Sequence, residues 1–409
     1  MKRVRGRLAL SLSILAGSLV GVELPAAVAG TTYTFTTAGA SGRTGPTQSQ
    51  VTTAYASTNL AGAVTINTQG IQEWTVPFSG QFRITAKGAA GGNGYYSGSQ
   101  SGGYGAQTIG TFSLTSGTVL KVLVGQLGGS RVTNGGGGGG GGSFVVTGSG
   151  TILAIAGGGG GGGGRNPTTG VNASLTTTAT SDGSGLGTAG TSGGGGAPFD
   201  SVWCGAGAGG YSGNGVGVSN CLYVAGNSFT NGGIGGDAIG TYPTAGGFGG
   251  GGGVGYAGGG GGGYNGAPGG RGDAFYPGGG GGSTFNSGSD VTTSQLTALA
   301  DGGVTIEFLG SIGTISVVAA GNVKSTNKGI GIALTATLNS AGRVTFYANG
   351  KRIPGCINQS ASIGNKVCTW KPTGIRDTAI YATLSQNGSV VAVSSTLTIS
   401  GTKRTGPRG

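Results

Sequence analysis

Apolar and polar residues alternate in short, separate stretches along this chain, and nowhere do they recur with the three-to-four spacing of a long amphipathic helix. Residues 71–86 (IQEWTVPFSGQFRITA) read as two short strands with a turn at Pro77–Gly80. Residues 108–124 (TIGTFSLTSGTVLKVLV) read as a hairpin around Ser116-Gly117. Segments 143–147 and 151–155 form a further pair around Gly148, and 304–309 is a last strand. Strands this short and β-branched, with turns between them, predict an all-β, antiparallel sandwich or jelly roll.

Glycine interrupts the pattern. It supplies 103 of 409 residues, much of it in unbroken runs at 135–142, 157–164, 193–196, 249–253, 258–263 and 278–282. A glycine run carries no catalytic group and buries almost no apolar surface. It is either a flexible linker or a place where backbones approach too closely for a Cβ. The strands between the runs favour the second reading. Extended threefold polyglycine helices can lie side by side and bond laterally through N–H and C=O, which accounts for every backbone polar group.

Charge divides the chain near residue 310. Between residues 30 and 310 seven bases face eight acids; beyond 310 eleven bases face one acid, Asp377. The glycine runs stop at the same place. The organisation predicted is a signal peptide (1–29), a glycine-rich domain (30–310), a second domain (311–400) and a basic tail (401–409). The leader carries Lys2, Arg3, Arg5 and Arg7, then an apolar stretch from Leu8 to Val22, then Ala27-Val28-Ala29 before Gly30. That stretch is short for a membrane-spanning helix, which needs roughly 20 residues, and it has the layout of an export signal cleaved near Ala29-Gly30. The mature chain is expected to be secreted or held at the cell surface, with no transmembrane span.

Four cysteines suit an oxidising compartment. The pairing that closes the shortest loops is Cys204–Cys221 and Cys356–Cys368. The chain has no histidine, which excludes Ser-His-Asp and Cys-His catalysis, and no cofactor, metal or catalytic site is predicted. Gly-x-Gly-x-x-Gly recurs inside the runs without the strand, helix and acidic residue that a dinucleotide fold requires. Arg271-Gly272-Asp273 spells an integrin-binding tripeptide in a glycine-rich context and reads as a turn. Tyr95, Tyr96, Tyr104, Tyr211, Phe248, Tyr256, Tyr264, Phe275 and Tyr276 lie between the runs. They either cap the glycine bundle, the favoured reading, or form a stacking face.

Several pieces of text resemble the extracellular glycine-rich domain of the anaplastic lymphoma kinase and leukocyte tyrosine kinase receptors. They are Gly39-Ala40-Ser41-Gly42-Arg43-Thr44-Gly45-Pro46-Thr47, Gly70-Ile71-Gln72-Glu73-Trp74-Thr75-Val76-Pro77, Gly80-Gln81-Phe82-Arg83-Ile84, Gly88-Ala89-Ala90-Gly91-Gly92, Leu123-Val124-Gly125-Gln126 and Gly302-Gly303-Val304-Thr305-Ile306. The resemblance spans about residues 31–310. It implies a jelly roll similar to tumour necrosis factor with inserted polyglycine helices, binding of a protein ligand outside the cell, and a tendency to homo-oligomers. Where that family has cysteines flanking the first motif, this chain has Ala38 and Val51. No kinase text follows.

Residues 311–400 read as one immunoglobulin-like sandwich. Strands are expected at 314–318, 331–338, 343–348, 379–384 and 390–399, with hairpin turns at Asn349-Gly350 and Asn387-Gly388. The text from Gly342 to Gly350 resembles the immunoglobulin-like repeats of bacterial surface proteins. The basic residues Lys351, Arg352, Lys366, Lys371, Lys403, Arg404 and Arg408 are candidates for contact with an anionic cell-envelope polymer; plain solubility is the competing reading. Together these features predict an exported binding or adhesion protein that recognises a protein or glycan through its glycine-rich part, with the basic part as spacer or anchor. A self-associating matrix protein and an extracellular hydrolase are the alternatives.

Overall fold

The computed structural model describes residues 29–165, 168–199, 202–218, 225–237, 244–272, 276–310, 313–320, 325–327, 329–374, 376–386 and 389–402. The leader, Cys221, Asn387-Gly388 and the tail residues Lys403, Arg404 and Arg408 lie outside them. The fold is all-β and built of sheets in sandwiches, antiparallel except for one parallel pair in the second.

Through residue 310 the described residues form thirteen strands, eleven of them in the first sandwich: β1 (Thr32–Phe35), β2 (Val64–Thr68), β3 (Ile71–Thr75), β4 (Gly80–Lys87), β5 (Gly94–Tyr95), β6 (Ser99–Gln100), β7 (Ala106–Leu114), β8 (Val119–Leu123), β9 (Ser143–Thr147), β10 (Ile152–Ala156), β11 (Phe285–Asn286), β12 (Ser289–Gln295) and β13 (Gly303–Gly310). One sheet runs β1-β13-β4-β7-β12 and the facing sheet β11-β10-β9-β8-β3-β2, while β5 and β6 form a small hairpin outside both. Phe82, Ile84, Phe112, Val304, Ile306 and Phe308 from the first sheet meet Trp74, Leu120, Val122 and Val145 from the second in one core. Strand β9 is buried on both sides, because Phe144 and Val146 face Phe229 and Phe248 of the glycine-rich insert. That double burial is why its centre, Phe144-Val145-Val146, is apolar without alternation.

Two expectations need correction. The turn at Ser116-Gly117 exists, with Gly117 at φ 85°, but β7 and β8 belong to opposite sheets. The turn is a corner of the sandwich and not a hairpin, since the two strands turn their apolar sides to a shared core. A seven-residue helix, α1 (Gln48–Ala54), was also not anticipated. It is started by a capping box: the Thr47 N–H donates to Gln50 Oε1 at 2.9 Å, and the Gln50 N–H donates to Thr47 Oγ1 at 3.4 Å. Val51 on this helix and Ala38 both join the sandwich core, so apolar packing stands where the resembling receptors carry cysteines.

The glycine runs are folded. In the run 135–142, the N–H groups of Gly136, Gly139 and Gly142 donate to Gly255, Gly252 and Gly249. Those of Gly137 and Gly140 donate to Gly162 and Gly159, and those of Gly138 and Gly141 to Gly129 and Gln126. Every third residue addresses the same neighbour, as a threefold helix of polyproline II type requires. Three further segments donate to its carbonyls: Gly259 and Gly262, Gly92 and Ala89, and Gly247 bond to Gly137 and Gly140, Gly138 and Gly141, and Gly139. The central helix therefore has six hydrogen-bonded neighbours. The runs 157–164 and 258–263 pack against it and close a triangle: Gly137 donates to Gly162, Gly161 to Gly259, and Gly259 back to Gly137. A Cβ on Gly161 would fall onto the carbonyl of Gly137, so the spacing admits no side chain.

The second sandwich has strands β14 (Ile315–Ala319), β15 (Ser325–Asn327), β16 (Ile332–Leu338), β17 (Gly342–Ala348), β18 (Lys351–Arg352), β19 (Gln359–Ala361), β20 (Gly364–Trp370), β21 (Thr378–Gln386), β22 (Ser389–Val393) and β23 (Leu397–Thr402). A sheet β14-β16-β20 faces one of order β15-β23-β21-β17-β18, with β19 on β17 and β22 on β21. Leu334, Phe346, Trp370, Ile380 and Leu384 centre their core. Asn349 (φ 46°) and Gly350 (φ 76°) make the expected left-handed hairpin turn between β17 and β18. Strand β20 was not foreseen, and the segment 390–399 is split between β22 and β23.

Candidate recognition surface

The bundle has two ends. Gly88, Gly142 and Gly157 adjoin sandwich strands directly and Gly125 follows one after a single residue, so that end is covered by the sheets. The opposite end, marked by Gly135, Gly164 and Gly258, carries the loops. Tyr95 exchanges two backbone hydrogen bonds with Gly135, at 2.9 and 3.1 Å. The Ala257 N–H donates to the Trp203 carbonyl at 3.2 Å, and the Gly258 N–H to the Pro277 carbonyl at 3.0 Å. These bonds bring Trp203, Tyr256 and Tyr276 together. The ring centroids of Trp203 and Tyr256 are 5.5 Å apart, edge to face, and those of Tyr256 and Tyr276 are 5.2 Å apart. The Arg165 guanidinium lies over Tyr276 at 5.8 Å.

The cluster is partly open: Trp203 is 38% and the adjoining Val202 56% exposed. Two of its members are strained. Trp203 has φ 68° and Tyr276 φ 42°, a left-handed backbone that bulky residues avoid. Such strain costs on the order of 1–3 kcal/mol per residue and persists only where the surroundings impose it. Here Gly272 lies so close that a Cβ on it would overlap the backbone of Val202, Trp203 and Cys204, and the fully buried Cys204 is disulfide-bonded. Its expected partner, Cys221, lies outside the described residues.

Of the other aromatics named from the sequence, Phe248, Tyr211 and Tyr264 cap the bundle, and Phe275 lies outside the described residues. Phe248 is fully buried, and its ring fills the space where Cβ atoms of Gly45 and Gly70 would stand. Both glycines belong to the receptor-like motifs. Tyr211 stacks on Phe229 at 5.8 Å, and Phe229 on Phe144 at 5.2 Å. Burial raises the Tyr211 phenol above its ordinary pKa, and its hydroxyl donates to the Gly150 carbonyl at 2.9 Å. Tyr264 packs on Phe285. The aromatics thus divide between the two readings by position. Trp203 and Arg165 were missed, although a Val-Trp pair beside a cysteine in an otherwise glycine-rich loop is a readable signal.

Arg271 is half-buried and Gly272 buried, while Asp273 lies outside the described residues. Carboxylates are dispersed in structural roles. Asp237 pairs with Arg43 at 3.1 Å and Glu307 with Arg83 at 2.9 Å. Asp182 closes a turn through the N–H groups of Leu186 and Gly187, and Asp301 accepts from the Leu127 N–H. Among the described residues there is no group of three or more His, Cys, Asp or Glu side chains placed to hold a metal, and no helix long and apolar enough to cross a membrane.

The basic candidates of the second sandwich do not converge. Lys351 and Arg352 are exposed on β18, at the edge of the larger sheet. Lys366 is half-buried on β20 of the smaller sheet, with Lys371 exposed just beyond it. Cys356 and Cys368 are joined, S–S 2.06 Å, and the bridge ties β20 to the segment after β18. It links the two sheets at their edges, which a short loop closure alone did not suggest.

No protein-family profile matches the chain. A stretch of 100 residues is 41% identical to the leukocyte tyrosine kinase receptor of Mus musculus, covering 24% of this chain and 11% of the receptor. The chain thus spans about a tenth of the length of that curated relative. The similarity supports a distant relationship. Together with the disulfide it is compatible with an extracellular location.

Proposed function

We propose that this is an exported binding protein whose glycine-rich part presents the Trp203–Tyr256–Tyr276–Arg165 cluster to a protein or glycan outside the cell. The second sandwich then serves as spacer or as anchor to an anionic surface. The observation that carries the reading is the cluster itself: open aromatics with an arginine, held in a strained backbone at the free end of a rigid bundle. Tryptophan, tyrosine and arginine are the residues that dominate binding energy at interfaces. Rigid anchors also lose little conformational entropy on binding.

Self-assembly through polyglycine is less well supported, because the three central helices spend their hydrogen bonds on neighbours within the chain. The test is a screen of the full chain against immobilised secreted proteins and glycans, repeated with Trp203→Ala and Tyr256→Ala. Each substitution is expected to weaken a saturable interaction by about thirtyfold, the equivalent of about 2 kcal/mol for a hot-spot residue. Binding that persists unchanged in both variants removes the cluster as the recognition site.

A further inference from the structure

The larger sheet of the second sandwich has an outer face with its own chemistry. On β17, Val344, Phe346 and Ala348 pack toward the core, so Arg343, Thr345 and Tyr347 lie on the other face, Arg343 exposed and Thr345 buried. On β21, Ile380, Ala382 and Leu384 pack inward, leaving Tyr381 and Thr383 on that other face. The register sets Tyr347 beside Tyr381 and Thr345 beside Thr383, with Arg352 opposite Tyr347 on its other side. The two tyrosine rings are stacked, 4.7 Å between centroids and 3° between planes. Arg343 is oriented by a hydrogen bond from Nη1 to the Asn358 carbonyl at 3.1 Å. The Asn358 N–H in turn donates to Thr345 Oγ1 at 2.9 Å. Arg343, Thr345, Tyr347, Arg352, Asn358 and Thr383 line one open hollow.

We propose that this face binds an acidic polysaccharide, a hydroxyl-rich chain with carboxylate or sulfate groups set at intervals. The proposal deepens the anchor reading above and rests on it. Charge selects an anion: beyond residue 310 the chain has eleven bases and one acid. Geometry selects a sparsely charged one. Arg343 and the Tyr347–Arg352 pair lie four residues apart along β17, about 13 Å at the rise of a strand. Duplex DNA carries one charge per about 1.7 Å of helix axis, a denser array than these guanidinium groups. The stacked tyrosines argue the same way. The two rings cover one face of each other, which leaves the pair fewer free faces for bases to stack on. Phenol hydroxyls between two guanidinium groups suit sugar hydroxyls flanked by carboxylates, while the buried Thr345 and Thr383 form the floor beneath them.

The test uses the full chain and three probes of similar length: a polyuronate with its uronate at every second sugar and a neutral sugar between, a neutral dextran and single-stranded DNA. Binding is measured for the unaltered protein and for Arg343→Gln, Arg352→Gln and Lys371→Gln. Each variant lowers the charge by one, but Lys371 lies beyond β20 of the other sheet, off this face. Far-ultraviolet circular dichroism confirms that each variant is folded. The polyuronate is expected to bind, dextran not, and DNA more weakly. Arg343→Gln and Arg352→Gln should each weaken polyuronate binding about tenfold, as loss of a charge-assisted hydrogen bond does, while Lys371→Gln changes it less than about twofold. If all three variants weaken binding equally, the site is overturned while the anchor reading stands on overall charge alone. If the unaltered chain binds no polyuronate at low salt, the site is overturned and the anchor reading loses its support. If DNA binds more tightly and the same two arginines abolish it, the face is a nucleic-acid site.

Discussion

The first sandwich and the glycine bundle solve one problem in opposite ways. The sandwich excludes water with large side chains such as Phe82, Trp74, Leu120 and Phe308, and hydrophobic transfer drives its folding. The bundle has central runs without side chains, and buried neighbours such as Ala89, Ala206 and Ala267 add only a methyl group each. Its groups are backbone amides bonded in three directions, each worth about 0.5–1.5 kcal/mol net, set against the high conformational entropy that glycine loses on folding. The sandwich therefore tolerates exchange among apolar residues of like volume, whereas the bundle tolerates nothing larger than hydrogen at its inner positions. A glycine run so placed is a rigid element. That rigidity lets the far end hold Trp203 and Tyr276 in a strained backbone.

The sharpest way to break the contrast is a pair of substitutions. Gly161→Val, which drives a side chain into the Gly137 carbonyl, is expected to destabilise by more than about 4 kcal/mol. Leu120→Met in the sandwich core should cost less than about 1.5 kcal/mol. Urea denaturation of both variants measures the difference, and comparable costs would mean that the bundle is not close-packed. A smaller effect is expected in the second sandwich. Replacing Cys356 and Cys368 together by serine opens a bridge across 12 residues and should remove about 2–3 kcal/mol. Denaturation followed through Trp370, which packs near that bridge, should register the loss while Trp74 in the first sandwich does not.

The smallest expected effect is alkaline. Burial raises the phenols of Tyr33 and Tyr55 above the ordinary value of 10.0; for Tyr55, hydrogen bonds with Thr36 and Gln72 offset part of the rise. The folded state holds these protons more tightly than the unfolded chain. The stabilisation is complete below pH 10 and is lost as pH rises through the folded pKa values. Tyr33 lies 4.6 Å from Trp74, so the fluorescence of Trp74 should report a lower denaturation midpoint above pH 10, and the shift should shrink in Tyr55→Phe.

Much of the architecture could be read from local text. The β9–β10 pair around Gly148, the Asn349-Gly350 turn and the lateral bonding of the glycine runs all follow from short-range rules. What escaped depends on distant contacts or weak patterning. The text of β20, GNKVCTW, alternates poorly because Lys366 and Asn365 lie at a sheet edge. β7 and β8 flank a good turn, yet each finds its partner in another sheet. The roles of Gly45 and Gly70 depend on Phe248, which the chain brings back from far along the sequence. The recognition cluster was half legible: Tyr256 and Tyr276 stood out as aromatics between runs, but their meeting with Trp203 and Arg165 depends on how the loops leave the bundle.

Amide hydrogen exchange on the full chain tests the central claim most directly. If the runs 135–142, 157–164 and 258–263 are hydrogen-bonded helices packed on one another, their amides should exchange as slowly as those of β4, β8 and β9 and open with the sandwich as one unit. Exchange of these runs at the rate of an unstructured peptide, while the strands stay protected, would contradict the account: the runs would be linkers, and the cluster at their end would have no rigid support.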